Sequence, residues 1–235
     1  MKFIDLMPGG KNTWFGVLKD LKKGKAVLSY SQQGEDLAIG RYFGDKQKGF
    51  FVDVGAFQPI KYSNTYAFYK KGWRGINIEP NPDHFDMFRQ IRPADINLNI
   101  GISEEPGKLQ YYMFNEPALN TFEQKHAEEW ASHPDFSICE KKIVDTYTLK
   151  SVLEKYLPAG QKIDFMSVDV EGFDLKVLKS NDWKKFRPEL LLVEESISGT
   201  DNFKNSEILP YLSETGYRIW SVSGGTVLFK DHRST

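Results

Sequence analysis

Short apolar runs separated by amphipathic stretches set the rhythm of this chain from residue 31 onward. "GFFVDVG" (49–55), "RGINIEP" (74–80), "INLNIGIS" (96–103), "IDFMSVDVEG" (163–172) and "ELLLVEES" (189–196) are rich in β-branched and aromatic residues and have the length of buried strands. Between them the pattern predicts helices over about 64–71, 82–92, 148–157 and 173–178. Strands alternating with helices in this way imply a parallel sheet with crossover helices. Two stretches break the rhythm. "GKLQYYMF" (107–114) follows its predecessor after the turn "SEEPG", and "YRIWSVSGGTVLFKD" (217–231) is two strand runs around "SGG". Both have hairpin spacing, so antiparallel members are expected.

Residues 1–30 read as an N-terminal helical extension, with Trp14, Phe15, Leu18 and Leu21 along one face and Gly24 interrupting it. Residues 31–235 read as a single domain, because a chain of 235 residues fits one α/β core. The polar and aromatic segment 115–142 is long for a connection inside a compact domain. It is expected to carry a short helix and to serve as a lid or substrate wall. Its aromatics Phe122, Trp130 and Phe136 either stack on a ligand or pack the insertion down.

Composition narrows the class. With 40% hydrophobic, 14% aromatic and 27% charged residues the chain is expected to fold rather than stay disordered. A net charge of -1 supplies no field for polyanions, so nucleic acid is not an expected partner. The basic run "KDLKKGK" (19–25) reads as a solvated helix end. Cys139 is the only cysteine, which excludes an internal disulfide and a thiolate metal cluster and leaves it as a packing residue. The start "MKFIDLMPGG" lacks a continuous apolar run, and nothing approaches the roughly 18 apolar residues of a membrane span, so a cytoplasmic protein is expected. His84, His126, His133 and His232 show no metal-ligand spacing. His126 and His133 fall in the insertion, as a base or, more simply, as solvated loop residues.

Ligands of an open α/β sheet gather outside the carboxyl ends of its strands. Those ends carry Asp53-Val54-Gly55, Glu79-Pro80-Asn81, Gly101-Ile102-Ser103, Asp169-Val170-Glu171-Gly172 and Glu194-Glu195. Neither G-x-x-x-x-G-K-[ST] nor G-x-G-x-x-G is present, so the first turn is no phosphate cradle. A carboxylate at Asp53 repels phosphate and suits a cationic or hydroxyl-rich ligand. Glu79 follows 26 residues later, where an acid accepts the hydroxyls of a ribose. A ribose, a positive charge and no phosphate describe S-adenosylmethionine, and Gly55 allows the backbone to approach closely.

"SQQGEDLAI" (31–39), "FFVDVGA" (50–56), "YSNTYAFYKKGWRGINIEPNP" (62–82), "NIGIS" (99–103), "IDFMSVDVEGFDLKVLKSNDW" (163–183) and "RPELLLVE" (187–194) resemble, in order and spacing, the FkbM family of S-adenosylmethionine-dependent methyltransferases. The resemblance covers roughly residues 30–195; segment 115–142 has no pattern that maps onto it, and the first 30 residues lie outside it. It implies an α/β class I methyltransferase (Rossmann-like) fold: a seven-stranded, mostly parallel sheet with an antiparallel C-terminal strand and helices on both faces. It also implies O-methylation of a sugar hydroxyl on a polysaccharide, glycolipid or natural product. Under it, Asp53 and Gly55 hold the methionyl end of the cofactor, Glu79 the ribose, and Gly101, Ile102 and Ser103 flank the adenine. Asn81 is a helix cap first and a ligand contact second. Gln33, Glu35 and Asp36 reach over the cofactor or the acceptor, or cap a helix starting near Leu37. Ser63 and Asn64, at a helix start, divide between capping and cofactor binding.

Methyl transfer to an alcohol needs alignment and removal of a weakly acidic proton. Asp169 is the first candidate to touch cofactor or acceptor, and Glu171 the general base. With Glu194 they form an alternative oxygen-ligand set for Mg²⁺, which would acidify the acceptor hydroxyl. Expected partners are a sugar-containing acceptor and a second copy of the chain. The competing expectations are a non-sugar small molecule or amine as acceptor, and a non-catalytic nucleotide-binding scaffold in a glycan-assembly complex.

Overall fold

Every residue of β1 (Phe50–Val54) is buried, the condition of a strand in the middle of a sheet covered on both faces. In the computed structural model, which describes residues 11–195 and 206–233, β1 lies between β2 (Arg74–Ile78) and β7 (Phe165–Val168). Alternate residues then enter two cores. Phe50, Val52 and Val54 join Ile76, Ile78, Met166 and Val168 beneath α6 (Leu149–Tyr156), α7 (Asp174–Lys179) and α8 (Ile208–Glu214). Phe51 points the other way, toward Phe165, Leu192, Ile39 of α2 (Glu35–Phe43), Phe68 of α3 (Tyr66–Lys70) and Trp73. Helices therefore cover both faces, as expected.

The sheet has seven strands in the order β3-β2-β1-β7-β8-β10-β9, with β3 (Ile96–Leu98), β8 (Leu190–Glu194), β9 (Tyr217–Ser223) and β10 (Thr226–Asp231). Only β10, the C-terminal strand, runs antiparallel to its neighbours. Helices α4 (Pro82–Ile91) and α6 start at side-chain caps. Asn81 accepts from Asp83 N at 3.0 Å to open α4, with Pro82 in the first turn. The extension contains α1 (Lys11–Lys22), which ends ahead of Gly24; residues 1–10 and the side chains of Trp14 and Phe15 lie outside the described residues, as does Ser196 beyond β8.

Three expectations need correction. The run 96–103 is two strands: β3 ends at Leu98, and β4 (Gly101–Ile102) leaves for a second sheet ordered β4-β6-β5. The run 107–114 is β5 (Gly107–Phe114), but its antiparallel partner is β6 (Ile138–Tyr147), so β4 and β5 form no hairpin. Strand β6 itself was hidden because most of its residues are exposed, and "ICEKKIVDTY" shows little of the apolar alternation that betrays a half-buried strand. Cys139 is on this strand and exposed, not packed. Before β6, the insertion holds a single 3₁₀ turn at Pro117–Leu119 and α5 (Gln124–Ala131). Trp130 meets Phe136 edge-on at 5.4 Å in a small separate core with Tyr112, Phe114 and Ala127. Among the described residues, no helix is long and apolar enough to cross a membrane.

Candidate active site

Asp53 registers between Asn77 on β2 and Ser167 on β7, so three polar residues cross the sheet just before its carboxyl edge. Glu79 follows the end of β2 and Asp169 the end of β7. Asp53, Gly55, Glu79, Asp169 and Glu171 line one cleft that opens to solvent. Its opposite wall comes from the second sheet and the insertion: Tyr111 of β5, Pro117, Ala118, Asn120 and Phe122. Gln32, Phe57, Tyr62 and Asn64 close the remaining side.

Backbone strain collects here. Phe57, Tyr62 and Glu171 have φ of 52°, 59° and 51°, and they are the non-glycine residues with positive φ among the described residues. All three line the cleft. Each such conformation costs on the order of 1 kcal/mol or more and persists where the surroundings enforce it, commonly at ligand sites. Gly55, with φ 78°, needs its missing side chain twice over, because a Cβ there would run into the carbonyl oxygen of Asp169. The turns after β1 and β7 are thus locked together. Gly55→Ala is expected to cost roughly 3 kcal/mol or more of stability, and a denaturation midpoint equal to wild type would contradict the close approach.

Burial governs the charges. Asp53 Oδ2 accepts the Thr65 hydroxyl at 2.8 Å, yet burial pushes this carboxyl up to about 6 against the pull of Thr65 and Arg92. Glu79 accepts from Phe57 N at 2.8 Å and from Asn81 N at 2.7 Å, and burial still pushes it up to about 8. Asp169, Glu171 and Glu194 can each place an oxygen within 4.8 Å of the others. Burial, then the neighbouring Glu194, raises Asp169 well above the usual carboxylate range. Glu171 rises to about 8 through burial and Asp169, and Glu194 to about 8 through burial and Glu171. Asp174, accepting from Val170 N and Gly172 N at 3.2 Å each, rises to about 7, mostly by burial.

Glu79, Glu171 and Glu194 therefore hold protons in the folded protein up to about pH 8, whereas the unfolded chain releases them near the ordinary value of 4.5. Their stabilising share is full below that lower value and is lost as pH rises through about 8. The thermal midpoint of the ligand-free protein is expected to fall between about pH 5 and pH 8.5. A midpoint that climbs across this interval would contradict the raised acids Glu79, Glu171 and Glu194.

The other residues singled out in the sequence divide. Asn64 lines the cleft and donates to Ser167 Oγ at 3.0 Å. Ser63 accepts from Tyr66 N at 3.1 Å at the start of α3. Asn81 is buried, capping α4 and donating its backbone N–H to Glu79. Gln33 faces the β9–β10 hairpin, its Oε1 accepting from Gly225 N at 3.2 Å, while its neighbour Gln32 lines the cleft. Glu35 is buried and accepts from Gln33 N at 2.8 Å; Asp36 accepts from the hydroxyls of Ser29 and Ser31 and from Tyr30 N. Gly101, Ile102 and Ser103 do not line the cleft, because the chain leaves the main sheet after Leu98. Phe122 packs against Gly101 and presents its ring to the cleft instead. His84 is buried against the Phe57 ring at 4.7 Å, His126 stacks on Trp130 at 6.2 Å, and His133 is exposed beside Asp135. His232 follows β10 and donates its backbone N–H to Gly216 O.

Thr65, Arg92, Asp95, Tyr62 and Tyr111 were not anticipated. Thr65 belongs to "SNT", where sequence points only to Ser63 and Asn64, and Arg92 reads as an ordinary basic residue ending a helix. Tyr111 reaches the cleft only through the second sheet.

A family model described as methyltransferase FkbM domain matches residues 53–219, more than half of the 235 residues, and its match opens on Asp53. No curated protein matches the chain.

Proposed function

The chain belongs to the FkbM methyltransferase domain family, and on that premise we propose that it transfers the methyl group of S-adenosylmethionine to a hydroxyl of a sugar in a polysaccharide, glycolipid or glycosylated natural product. The observation that carries this reading is the meeting of Asp53, Glu79 and Asp169, from three adjacent strand ends, in one cleft. The sheet order, with a single antiparallel strand between β8 and β9, agrees with a class I, Rossmann-like methyltransferase.

Asp53 takes the ammonium of the methionyl end, and Gly55 brings the backbone close to it. Glu79 accepts the ribose hydroxyls; its oxygens each hold one backbone N–H already and keep lone-pair capacity for more. Phe122 is the cleft residue we assign to the side where 101–103 were expected. S-adenosylmethionine bound in the cleft would supply the methyl group for in-line attack by the acceptor oxygen, the carbon–sulfur bond breaking with its electrons going to sulfur and the demethylated product being released. The hydroxyl proton passes to Glu171, whose elevated pKa suits a base working near neutral pH. Asp169, kept protonated by burial and Glu194, can donate a hydrogen bond that holds the acceptor. Asp169, Glu171 and Glu194 also match the all-oxygen donor set that Mg²⁺ takes. Bound there, the ion would supply Lewis-acid polarisation of the acceptor hydroxyl.

A sugar is supported by the aromatic rings of Tyr62, Tyr111 and Phe122 beside the carboxyl groups, and among the described residues the cleft lining holds no Lys or Arg. An acceptor bearing phosphate or a uronic acid is disfavoured by the same acids. The acids would also accept an amine, which is the second reading. The test is methyl-labelled S-adenosylmethionine offered with neutral, amino and acidic sugars. Label in a base-stable ether of a neutral sugar supports the proposal. Label only on amines favours the second reading. Cofactor binding with no transfer to any acceptor points to a scaffold.

A further inference from the structure

Beneath the cleft lies a buried ion pair that none of these roles uses. Arg92 caps the C-terminal end of α4 and is 0% exposed. Its Nε donates to Asp95 Oδ2 at 2.9 Å, and its Nη2 lies 2.8 Å from the same oxygen, off the line a hydrogen bond needs. Asp95 also accepts from Gly75 N at 3.0 Å and Asn77 Nδ2 at 3.2 Å. The rings of Phe51, Tyr69 and Phe88 surround the guanidinium at 5.2, 5.2 and 5.3 Å. Arg92 Nη1 donates to the Thr65 hydroxyl oxygen at 2.9 Å, and that hydroxyl donates to Asp53 Oδ2 at 2.8 Å.

Chemistry fixes the direction of this chain of bonds. A guanidinium can only donate, so Arg92 occupies a lone pair of the Thr65 oxygen and leaves its one proton for Asp53. The alternative neighbour, Ser63 Oγ, is farther away at 3.3 Å. Thr65 stands at the N-cap of α3, yet its side chain makes no cap bond; Ser63 does that work. The hydroxyl is thereby free to serve the carboxylate. The other titratable groups acting on Asp53 across the site are Asp95, Glu79 and Asp169, all acids, so among these described residues Arg92 is the cation.

We propose that Arg92, acting through the Thr65 hydroxyl, is a positioning residue for cofactor binding: it fixes Oδ2 of Asp53 and so leaves Oδ1 for the ammonium of the methionyl end. The inference rests on the assignment of Asp53 to that end of the cofactor.

The test compares S-adenosylmethionine with methylthioadenosine, which has the same nucleoside and thioether but no amino-acid part, by calorimetric titration into wild type, Thr65→Val and Thr65→Ser. Thr65→Val preserves shape and removes the donor. It is expected to weaken S-adenosylmethionine about tenfold or more, the worth of one hydrogen bond to a charged group, and to leave methylthioadenosine unchanged. Thr65→Ser is expected to stay within about threefold of wild type. Arg92→Met is expected to reproduce the selective loss if it folds, but it strands Asp95, so Thr65→Val decides; Thr65→Ala replaces it should the valine variant not fold. A folded Thr65→Val that binds S-adenosylmethionine like wild type, or loses both ligands equally, overturns the proposal. Wild type that binds both ligands equally well overturns the role of Asp53. Wild type that binds neither overturns the cofactor reading and this inference with it.

Discussion

Glu171→Gln is expected to bind S-adenosylmethionine as wild type does and to transfer its methyl group about 10²–10⁴-fold more slowly. The size follows from the task. An alcohol does not give up its proton near neutral pH without help, and Glu171 is the cleft carboxylate whose pKa, about 8, combines basicity with a usable ionised fraction. Its position does not depend on its own side chain, because its carbonyl accepts the Thr121 hydroxyl at 2.8 Å and the next N–H is held by Asp174. Glutamine removes one titratable acid from a cluster whose members disfavour each other's ionisation, so the variant is expected to be at least as stable as wild type. The wild-type rate should rise with pH and level off above about 8, as the base loses its proton; the variant should lose that rise. A Glu171→Gln enzyme at full rate would remove the base from the mechanism.

Glu79→Ala is expected to weaken S-adenosylhomocysteine binding by about 100-fold or more. Two hydrogen bonds to a ribose are each worth roughly 0.5–1.5 kcal/mol, a buried group left unsatisfied costs roughly 1–3 kcal/mol, and tenfold in affinity is about 1.4 kcal/mol. Part of the loss is indirect, since the carboxylate also holds Phe57 N and Asn81 N and so supports the strained backbone at Phe57. Glu79→Gln keeps one acceptor oxygen, for Phe57 N or Asn81 N but not both, and is expected to lose about tenfold. A dissociation constant within twofold of wild type in both variants would place the ribose elsewhere.

What the sequence made legible followed from local signals. The buried strands announced themselves through "FFVDV", "INI" and "LLLVE", because strands covered on both faces must be apolar throughout. The acids at their ends were visible for the same reason, as charges abutting apolar runs. Strand β6 was not, since a strand exposed along most of its length carries Glu, Lys and Asp where a buried one would carry Val or Ile. Missing it hid the second sheet, and with it both the departure of 101–103 from the cleft and the arrival of Tyr111. Arg92 and Thr65 were illegible for another reason. Nothing in a sequence distinguishes a solvated arginine from one that is 0% exposed, or a capping threonine from one whose hydroxyl turns to a carboxylate twelve positions earlier. The strained φ at Glu171 was only hinted at, by the glycine that follows it.

The most direct test of the account is calorimetric titration of S-adenosylmethionine into the folded wild-type chain. Saturable binding at one site is expected, accompanied by a rise in thermal midpoint as the ligand engages Asp53 and Glu79. A well-folded protein that shows neither heat nor stabilisation would mean that the cleft at the strand ends was built for a different ligand.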